Sequence, residues 1–496
     1  MHSFTGSDLP ELGVGITYSS AIEQLLDRDP DLVDLIEIEP QTTWVETPYG
    51  AEPYRVIDQA VEHIMTLPFK KVVHSIGAPV GGTLTPDPIQ IALLQQIVNR
   101  LDSPWLSEHL SFNATPDFRT GFFLPPRQTK AGVESAVNAI RHLQNGLQVP
   151  IAVETGVNYL RPRQDELPDG VFVAAVVENA DCGLLLDLHN VYANALNGRQ
   201  SVDDFLSEIP LERVWEVHIA GGFEMEGYWL DAHSGAIPDP LFEQAKRLVP
   251  AMPNLKAIIF EIFPSFIPVA GLDVIRIQLE RLQELWSRRG RIPVSSLPAA
   301  SADRRHMSCD QHPASPDAWE RALGALVVGR EPTDVLSREL AADPGIALVN
   351  RLVCEFRASM LVNVLRRTCR LMMLALGQDV FRAILSDYWS KVPPQMFACS
   401  EAESFAAYLA ALKLNIPQFA EVLKFERAVL ATLVDNESRV VEFEFDPLPM
   451  LLALADGRLP DKPSNAGHFE IEITTDNSQI ADGAKLETIL ESIPSH

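Results

Sequence analysis

Positively charged residues are scarce in this 496-residue chain. It has 40 Lys and Arg against 67 Asp and Glu, which gives a formal net charge of −27. Binding to nucleic acid requires clustered Lys and Arg that neutralise phosphates, so this balance argues against a general nucleic-acid binder. The acidity is typical of a well-dissolved protein, and we expect no nucleic-acid partner.

Long apolar stretches are also missing. No segment approaches the roughly 20 apolar residues that a membrane span requires, and apolar runs in the C-terminal half, such as residues 371–376, are far shorter. Residues 1–10 lack the basic start and apolar stretch of a signal peptide. We therefore expect a cytoplasmic protein that does not act on a membrane.

Cysteine is rare, and its spacing excludes two classes of small domain. The five cysteines are an odd number, lie far apart and include no CxxC pair; they are Cys182, Cys309, Cys354, Cys369 and Cys399. This pattern excludes a zinc ribbon and argues against a disulfide scaffold. We expect reduced thiols that are mostly buried.

Short apolar runs alternate with helical stretches through the first 290 residues. Eight such runs occur, at 12–18, 34–40, 70–76, 105–112, 149–155, 182–190, 213–221 and 255–264. Strands that are buried on both faces form continuous apolar runs of this kind. Eight βα units in about 250 residues predict a (β/α)8 TIM barrel over residues 1–290. The alternative is an open doubly wound sheet, but no GxGxxG follows the first strand.

The pattern changes after the barrel. Residues 291–316 are rich in Pro, Ser and Ala, which predicts a linker. From residue 317 to about 435 the periodicity is helical, with Gly377 as a helix stop. Alternation at Val441 and Phe443, and again at Ile471 and Ile473, predicts strands. We therefore expect a mainly helical α+β domain over residues 317–496.

Ionisable side chains fall at the ends of the predicted barrel strands. Nine of them form the candidate site: His74, His109, Glu154, Asp187, His189, His218, Asp231, His233 and Glu261. The carboxyl ends of barrel strands converge on one mouth, so these side chains are predicted to share a cavity. Glu39 could reach the same mouth, although a structural role for it and for Glu37 fits the sequence equally well.

Five His and four carboxylates are more than a proton-transfer site requires. Without a cation the carboxylates would repel one another and their pKa values would rise. Mixed imidazole and carboxylate ligands suit iron, zinc or manganese rather than calcium or magnesium, and the absence of cysteine from the nine residues argues against an iron–sulfur cluster. Nine donors can hold two or three ions if a carboxylate bridges.

The nine residues lie in seven motifs that together cover about residues 10–290: VHSIGAPVGG, LSEHLSF, ETGVNYL, LLLDLHNVYANALNG, EVHIAGG, LDAHSG and FEIFPSF. In combination these motifs resemble the multinuclear non-heme iron-dependent oxidative enzymes that modify ribosomally made peptides, a family that includes the methanobactin biosynthesis enzyme. The resemblance implies two or three iron ions of mixed Fe2+ and Fe3+ state, with dioxygen as the co-substrate.

The resemblance also implies how the ligands divide. One iron would be held by His74, His109 and Glu154, and a central iron by Glu154, Asp187, His218 and Glu261. A third would use His189, Asp231 and His233, with Glu261 or another bridging group nearby. The resemblance names no catalytic residue, and it places His189 and Asp231 near the third metal position.

Three residues depart from the family pattern. His189 stands where many members have Asn, and Thr155 stands where Asn is usual. Phe263 replaces a common Asp and so removes a candidate acid or base.

Three segments of the C-terminal region carry a second resemblance: RASMLVNVLRRTCRLMMLALGQDVFRAILSDYW, VPPQMF and FAEVLKFERAVL. They resemble the peptide-binding partner proteins that are encoded beside such enzymes, although Arg370 stands where Pro is common. The resemblance implies oxidation of a precursor peptide, at Cys most often or at Asp, Asn or the C-terminal residue. The partner would be supplied in cis by residues 317–496.

Two other functions remain open from the sequence. One is a redox-neutral barrel enzyme, either a divalent-metal sugar isomerase or a trinuclear zinc phosphodiesterase. The other is a peptide-binding or regulatory module with a vestigial metal site. Iron content and an oxygen requirement separate the first from the oxidative enzyme, and turnover separates the second.

Overall fold

The computed structural model describes residues 6–47, 52–290, 314–463 and 466–474. It divides into two compact units: residues 1–43, 58–116 and 123–349 form unit 1, and residues 44–57, 117–122 and 350–496 form unit 2. Most of the predicted linker, residues 291–313, lies outside the described residues. The division differs from the predicted boundary, because unit 1 continues to residue 349 and unit 2 includes two short segments from the N-terminal half.

The strands are short and are numbered in chain order. They are β1 (Gly13–Thr17), β2 (Leu35–Ile38), β3 (Trp44–Glu46), β4 (Tyr54–Val56), β5 (Lys70–Ser75), β6 (Leu106–His109), β7 (Phe112–Ala114), β8 (Arg119–Leu124), β9 (Ile151–Glu154), β10 (Gly183–Asp187), β11 (Val214–Ala220), β12 (Phe223–Met225), β13 (Tyr228–Leu230), β14 (Ala257–Glu261), β15 (Arg439–Phe445) and β16 (Ala466–Ile473).

Helices follow most of the barrel strands and make up most of unit 2. They are α1 (Glu23–Arg28), α2 (Asp58–Thr66), α3 (Pro88–Leu101), α4 (Lys130–Asn145), α5 (Asp169–Ala180), α6 (Leu188–Leu196), α7 (Val202–Glu208), α8 (Asp239–Leu248), α9 (Ile267–Ala270), α10 (Leu272–Trp286), α11 (Pro316–Val327), α12 (Val335–Ala341), α13 (Pro344–Val364), α14 (Arg366–Leu376), α15 (Gln378–Lys391), α16 (Ala398–Ala411), α17 (Phe419–Asp435) and α18 (Leu448–Ala455).

Eight parallel strands close into a barrel in the order β1-β14-β11-β10-β9-β6-β5-β2. Each of these eight strands lies within one of the eight apolar runs, so the predicted TIM barrel is confirmed. The strands are buried on both faces: every residue of β10, β11 and β14 is buried. Closure leaves no strand edge in this sheet, which explains why the runs are continuous rather than alternating.

Strand periodicity places the polar residues of the barrel interior above an apolar layer. One buried cluster takes residues from several strands, including Leu35, Val72, Ala152, Leu185 and Ile259. Side chains two residues apart on a strand share a face. The same face therefore carries, one step nearer the carboxyl end, Glu37, His74, Glu154, Asp187 and Glu261. Their burial therefore follows from the alternation of side chains along each strand.

Strand β10 is shorter than the predicted run over residues 182–190. β10 ends at Asp187, and α6 begins at the next residue. The Asp187 side chain caps this helix by accepting a hydrogen bond from the Asn190 backbone N–H at 2.9 Å. Residues 182–190, predicted as one run, therefore contain a strand followed by the first turn of α6, in which His189 lies.

Helices α11 and α12, which follow the predicted linker, belong to unit 1. Trp319 of α11 is 1% exposed, and its Nε1 donates to the Pro125 carbonyl at 3.1 Å. Glu320 accepts a hydrogen bond from the Thr83 backbone N–H at 2.8 Å. These buried contacts with barrel loops explain why α11 is part of unit 1.

Unit 2 is mainly helical, as expected. One apolar core joins α14–α18 with the antiparallel pair β15–β16, where alternating Val441, Phe443, Ile471 and Ile473 are buried. The predicted helix stop is also confirmed: α14 ends at Leu376, and Gly377 has a φ of 81°, which favours glycine. Among the helices in the described ranges, none has the length and apolarity needed to cross a bilayer.

Candidate metal centre

Two histidines face one carboxylate at the ends of β5, β6 and β9. Nε2 of His74 lies 3.4 Å, and Nε2 of His109 lies 3.0 Å, from the same Glu154 oxygen, Oε2. The other ring nitrogens have separate partners: Nδ1 of His74 lies 3.0 Å from Ser107 Oγ, and Nδ1 of His109 lies 3.3 Å from the Ser75 carbonyl. Both rings are therefore oriented with Nε2 toward Glu154. We call these three residues the first group.

A second set of residues lies deeper in the mouth. Ligand atoms of Glu154, Asp187 and Glu261 lie within 4.8 Å of one another, and all three residues are buried. Nδ1 of His218 faces them, at 3.1 Å from Glu261 Oε1 and 3.6 Å from Glu154 Oε1. We call these four residues the central group. Glu154 belongs to both groups because its two oxygens face in different directions.

The third group is formed by Asp187, Asp231 and His233, whose ligand atoms also lie within 4.8 Å of one another. Nε2 of His233 is 2.9 Å from Asp231 Oδ1 and 3.5 Å from Glu261 Oε2. His233 has a φ of 43°, a left-handed conformation that is uncommon for a residue with a side chain. Such strain occurs most often at functional sites.

The three groups contain polar atoms that are buried and make no hydrogen bond. Five of these atoms point toward the shared mouth: Glu154 Oε2, Asp187 Oδ2, His218 Nδ1, His233 Nε2 and Glu261 Oε2. Buried polar atoms without partners are costly and rare in folded proteins. Imidazole nitrogens and carboxylate oxygens at these spacings are suitable ligands for iron, zinc or manganese. The residues therefore fit metal ions.

The electrostatics of the groups lead to the same interpretation. Burial, followed by the nearby Glu261 and Asp231 carboxylates, raises the pKa of Asp187 well above its ordinary value. Burial alone would also raise the pKa of Glu261, but the His218 and His233 rings lower it to about 2. Burial and the neighbouring rings, His109 first, hold the pKa of His74 well below its ordinary value. A bound cation would remove the conflict among groups that cannot all ionise together.

Eight of the nine predicted residues contribute to these groups, and His189 does not. Its Nδ1 lies 3.1 Å from Asp231 Oδ1, and its Nε2 accepts a hydrogen bond from Trp229 Nε1 at 3.0 Å. An indole N–H can only donate, so the neutral His189 ring must carry its proton on Nδ1 and donate it to Asp231. A side chain at Gly222 would collide with the rings of His189 and Trp229, because a Cβ there would lie 2.6 Å from His189 Nε2 and 2.6 Å from Trp229 Nε1.

The sequence left three acidic residues beside the site unassigned. Glu37 is completely buried, and its Oε2 lies 2.9 Å from His218 Nε2. Glu108 accepts a hydrogen bond from the Ala78 backbone N–H and lies 3.3 Å from His109 Nδ1. Burial and nearby carboxylates, Glu37 first, raise the pKa of Glu39 to about 7. The signal that could have identified Glu37 is its position two residues after Leu35, on the strand face that points into the barrel.

Aromatic rings cover two of the histidines. Phe123 stacks on His109 with ring centroids 4.0 Å apart, and Phe263 stacks on His233 with centroids 4.5 Å apart. Phe263 is 44% exposed. The residue that departs from the family pattern therefore forms part of the rim and shields one face of His233 from water.

A closed parallel barrel with buried His, Asp and Glu at the carboxyl ends of its strands defines a TIM-barrel enzyme with residues that can hold metal ions. The model of one family, described as RiPP precursor modification enzyme MbnB/TglH/ChrH, matches residues 12–268, just over half of the chain. The chain belongs to this family of enzymes that act on ribosomally synthesised peptide precursors.

Curated relatives are similar over the barrel region. A UPF0276 protein of Chromobacterium violaceum is 28% identical over 227 residues, which cover 45% of this chain and 80% of that protein. A UPF0276 protein of Acinetobacter baylyi is 29% identical over 262 residues, 51% of this chain and 85% of that protein. The match to a UPF0276 protein of Streptomyces avermitilis, 28% identical over 221 residues, covers 43% of this chain and only 45% of that protein's length.

Two solved structures are similar at low sequence identity. Endonuclease IV from Thermus thermophilus has a TM-score of 0.35 and 15% identity, covering 56% of this chain and 99% of that one. A xylose isomerase domain protein from Planctomyces limnophilus has a TM-score of 0.37 and 14% identity, covering 57% of this chain and 100% of that one.

Proposed function

We propose that this enzyme uses iron and dioxygen to oxidise a ribosomally synthesised precursor peptide. The observation that carries the proposal is the set of five buried ligand atoms that make no hydrogen bond and lie at one barrel mouth. Family membership supports the peptide substrate. The modified residue is proposed to be Cys, with Asp, Asn or the C-terminal residue as the other targets.

The proposed ligands follow the three groups. The first group would hold one iron, the central group a second and the third group another, with Glu154 and Glu261 each facing two groups through different oxygens. His189 remains a predicted ligand of the third ion, although its ring nitrogens face Asp231 and Trp229 in the structure.

The bound ions would supply redox chemistry and Lewis acidity, which lowers the pKa of a coordinated thiol or carboxylate. The residues of the chain orient the ligands and exclude water. Ser107 and the Ser75 carbonyl fix the His74 and His109 rings. Phe123 and Phe263 cover the outer faces of two histidines. Water exclusion strengthens each charge–charge interaction at the site.

Unit 2 is proposed to recruit the precursor peptide. Within the described part of the chain, β15 pairs only with β16, so each strand has an edge at which an extended peptide could add by β-augmentation. Holding the leader segment would raise the effective concentration of the modified segment at the barrel mouth.

The test is co-expression with a short neighbouring open reading frame, followed by intact-mass analysis of the encoded peptide. We expect an iron-loaded protein that absorbs in the visible range and changes the peptide mass only in the presence of dioxygen. Glu261→Gln should abolish the change, whereas His63→Ala, which alters a half-exposed histidine outside the site, should preserve it. A colourless, zinc-loaded protein that is indifferent to oxygen would contradict the proposal.

A further inference from the structure

His218 points its two ring nitrogens at different carboxylates. Nδ1 faces the central group, 3.1 Å from Glu261 Oε1, and makes no hydrogen bond. Nε2 lies 2.9 Å from Glu37 Oε2. The side chains of His218 and Glu37 are completely buried, so water cannot take the place of either one in this contact.

Glu37 is held in place by the barrel rather than by a loop. It lies on β2 beside Thr17 of β1 in the strand register. The Thr17 hydroxyl donates to Glu37 Oε1 at 3.2 Å, which leaves Oε2 to face His218. The carboxylate therefore has one oxygen for each of two neighbours, and its orientation is fixed before any ion binds.

A neutral imidazole can bind an ion through one nitrogen only if the other carries the proton. Inside a protein that N–H needs an acceptor, and a carboxylate in this position fixes the tautomer and makes the ring a stronger ligand. Since Nδ1 faces the central group and Nε2 faces Glu37, the proton belongs on Nε2.

Given the metal centre proposed above, we infer that Glu37 is a positioning residue: it accepts the His218 Nε2–H and so keeps Nδ1 available to the central ion. The competing role is direct coordination, since ligand atoms of Glu37, His218 and Glu261 lie within 4.8 Å of one another. The two roles differ in the number of ions that the protein can hold.

The test substitutes Glu37→Gln and uses Glu216→Gln as the matched control. Glu216 lies two residues before His218 on β11, is equally buried, and accepts a hydrogen bond from Trp105 Nε1 at 2.9 Å. Each variant replaces one buried carboxyl group of the barrel interior by an amide and retains an amide oxygen as acceptor. Co2+ is titrated into metal-free protein, and the bound ions are counted by elemental analysis.

We expect Glu37→Gln to bind the same number of Co2+ ions as the unsubstituted protein, with the affinity of one site lowered roughly 10- to 100-fold. Glu216→Gln should bind as the unsubstituted protein does. Loss of one whole ion from Glu37→Gln would make Glu37 a ligand and overturn the inference. Equal weakening in both variants would overturn it as well, because any buried carboxylate would then have the same effect.

Proton NMR of the Co2+-loaded protein supplies a second readout. A ring N–H of a coordinated histidine gives a shifted, exchangeable resonance, which His218→Ala identifies by its loss. We expect Glu37→Gln to move this resonance and Thr17→Val to speed its exchange with solvent, whereas Glu216→Gln leaves it in place. A resonance that is unchanged in Glu37→Gln would overturn the inference. If the unsubstituted protein binds neither Co2+ nor iron, the metal centre itself is wrong and Glu37 has no such role.

Discussion

At the scale of single residues, Glu216 makes stability depend on pH. Burial raises its pKa from 4.5 to about 8, with Glu37 adding to the shift. Below about pH 4.5 the folded and unfolded chains both hold the proton. Between these two values the unfolded chain releases it while the folded chain retains it, so folding loses stability as the pH rises. Above about pH 8 the folded chain also ionises and the loss levels off.

We therefore expect Glu216→Gln to lose less stability than the unsubstituted protein when the pH rises from about 5 to about 7. The difference should be about 2.5 kcal/mol, because the two units of pH in this window contribute up to about 1.4 kcal/mol each. Denaturant unfolding of the metal-free proteins at the two pH values measures it. Glu243→Gln, whose side chain is 67% exposed, should behave as the unsubstituted protein, and an equal response in Glu216→Gln would show that Glu216 is ionised in the fold.

His189 presents a sharper contrast between the sequence and the structure. We expect His189→Ala to retain the full number of bound ions and to weaken one site roughly 10- to 100-fold, because the ring donates to Asp231 and so orients a ligand. His233→Ala should lose one ion outright. Elemental analysis at saturating Fe2+ without dioxygen compares the two, and loss of a whole ion from His189→Ala would support the sequence prediction that it is a ligand.

The residue types of the site could be predicted from the sequence, but their pairing could not. Strand ends place His74, Glu154 and Glu261 in one mouth, and periodicity alone is enough to place them there. The sequence does not show which ring nitrogen faces which oxygen, since this depends on rotamers fixed by neighbours such as Ser107. Glu37 was left open for the same reason, because its role depends on contact with a residue 181 positions away.

At the scale of elements, α6 links the fold to the site through Asp187. One carboxylate oxygen caps the helix by accepting from Asn190 N–H, and the other is buried without a hydrogen bond. Asn caps helices as well as Asp does, whereas Ala costs about 1 kcal/mol. We expect Asp187→Asn to lose metal while the metal-free protein keeps its stability.

The matched Asp187→Ala should lose metal and about 1 kcal/mol of stability as well, since it removes the cap. Elemental analysis and denaturant unfolding of the metal-free variants separate the two effects. If Asp187→Asn retained every ion, Asp187 would serve the helix and not the metal centre.

The same element shows where prediction from sequence ends. The barrel strands are predictable because burial on both faces makes them uniformly apolar, as in β10 and β14. The end of β10 is not, because LLLDLHNVY continues as an apolar pattern into α6 and the cap depends on side-chain geometry. A buried strand and a buried helix can have the same apolar pattern. The boundary between β10 and α6 is marked by the hydrogen bond from the Asn190 N–H to the Asp187 side chain.

At the scale of the whole molecule, the compact units do not follow the order of the chain. Residues 44–57 lie in the barrel half of the sequence but belong to unit 2. Arg55 of this segment donates through Nε to the Val434 carbonyl at the end of α17, at 3.0 Å. The sequence cannot show that this segment belongs to unit 2, because a β-hairpin in a barrel loop has the same residue pattern whichever core it packs against.

This division predicts different behaviour for two shortened chains. A chain that ends at residue 349 keeps α11, with buried Trp319 donating to the Pro125 carbonyl, although it cuts α13 within its first turns. A chain that ends at residue 300 loses these contacts, and removing a buried Trp typically costs about 3–5 kcal/mol. We expect residues 1–349 to bind as much iron as the full chain, and residues 1–300 to melt roughly 5–15 °C lower than residues 1–349.

Both shortened chains should lose affinity for the precursor peptide, because both lack most of unit 2. Calorimetric melting, elemental analysis and peptide titration measure the three quantities on the same samples. Equal melting temperatures for the two chains would mean that α11 adds nothing to the barrel. Full peptide affinity in residues 1–349 would mean that the barrel binds the peptide by itself, and unit 2 would then need another role.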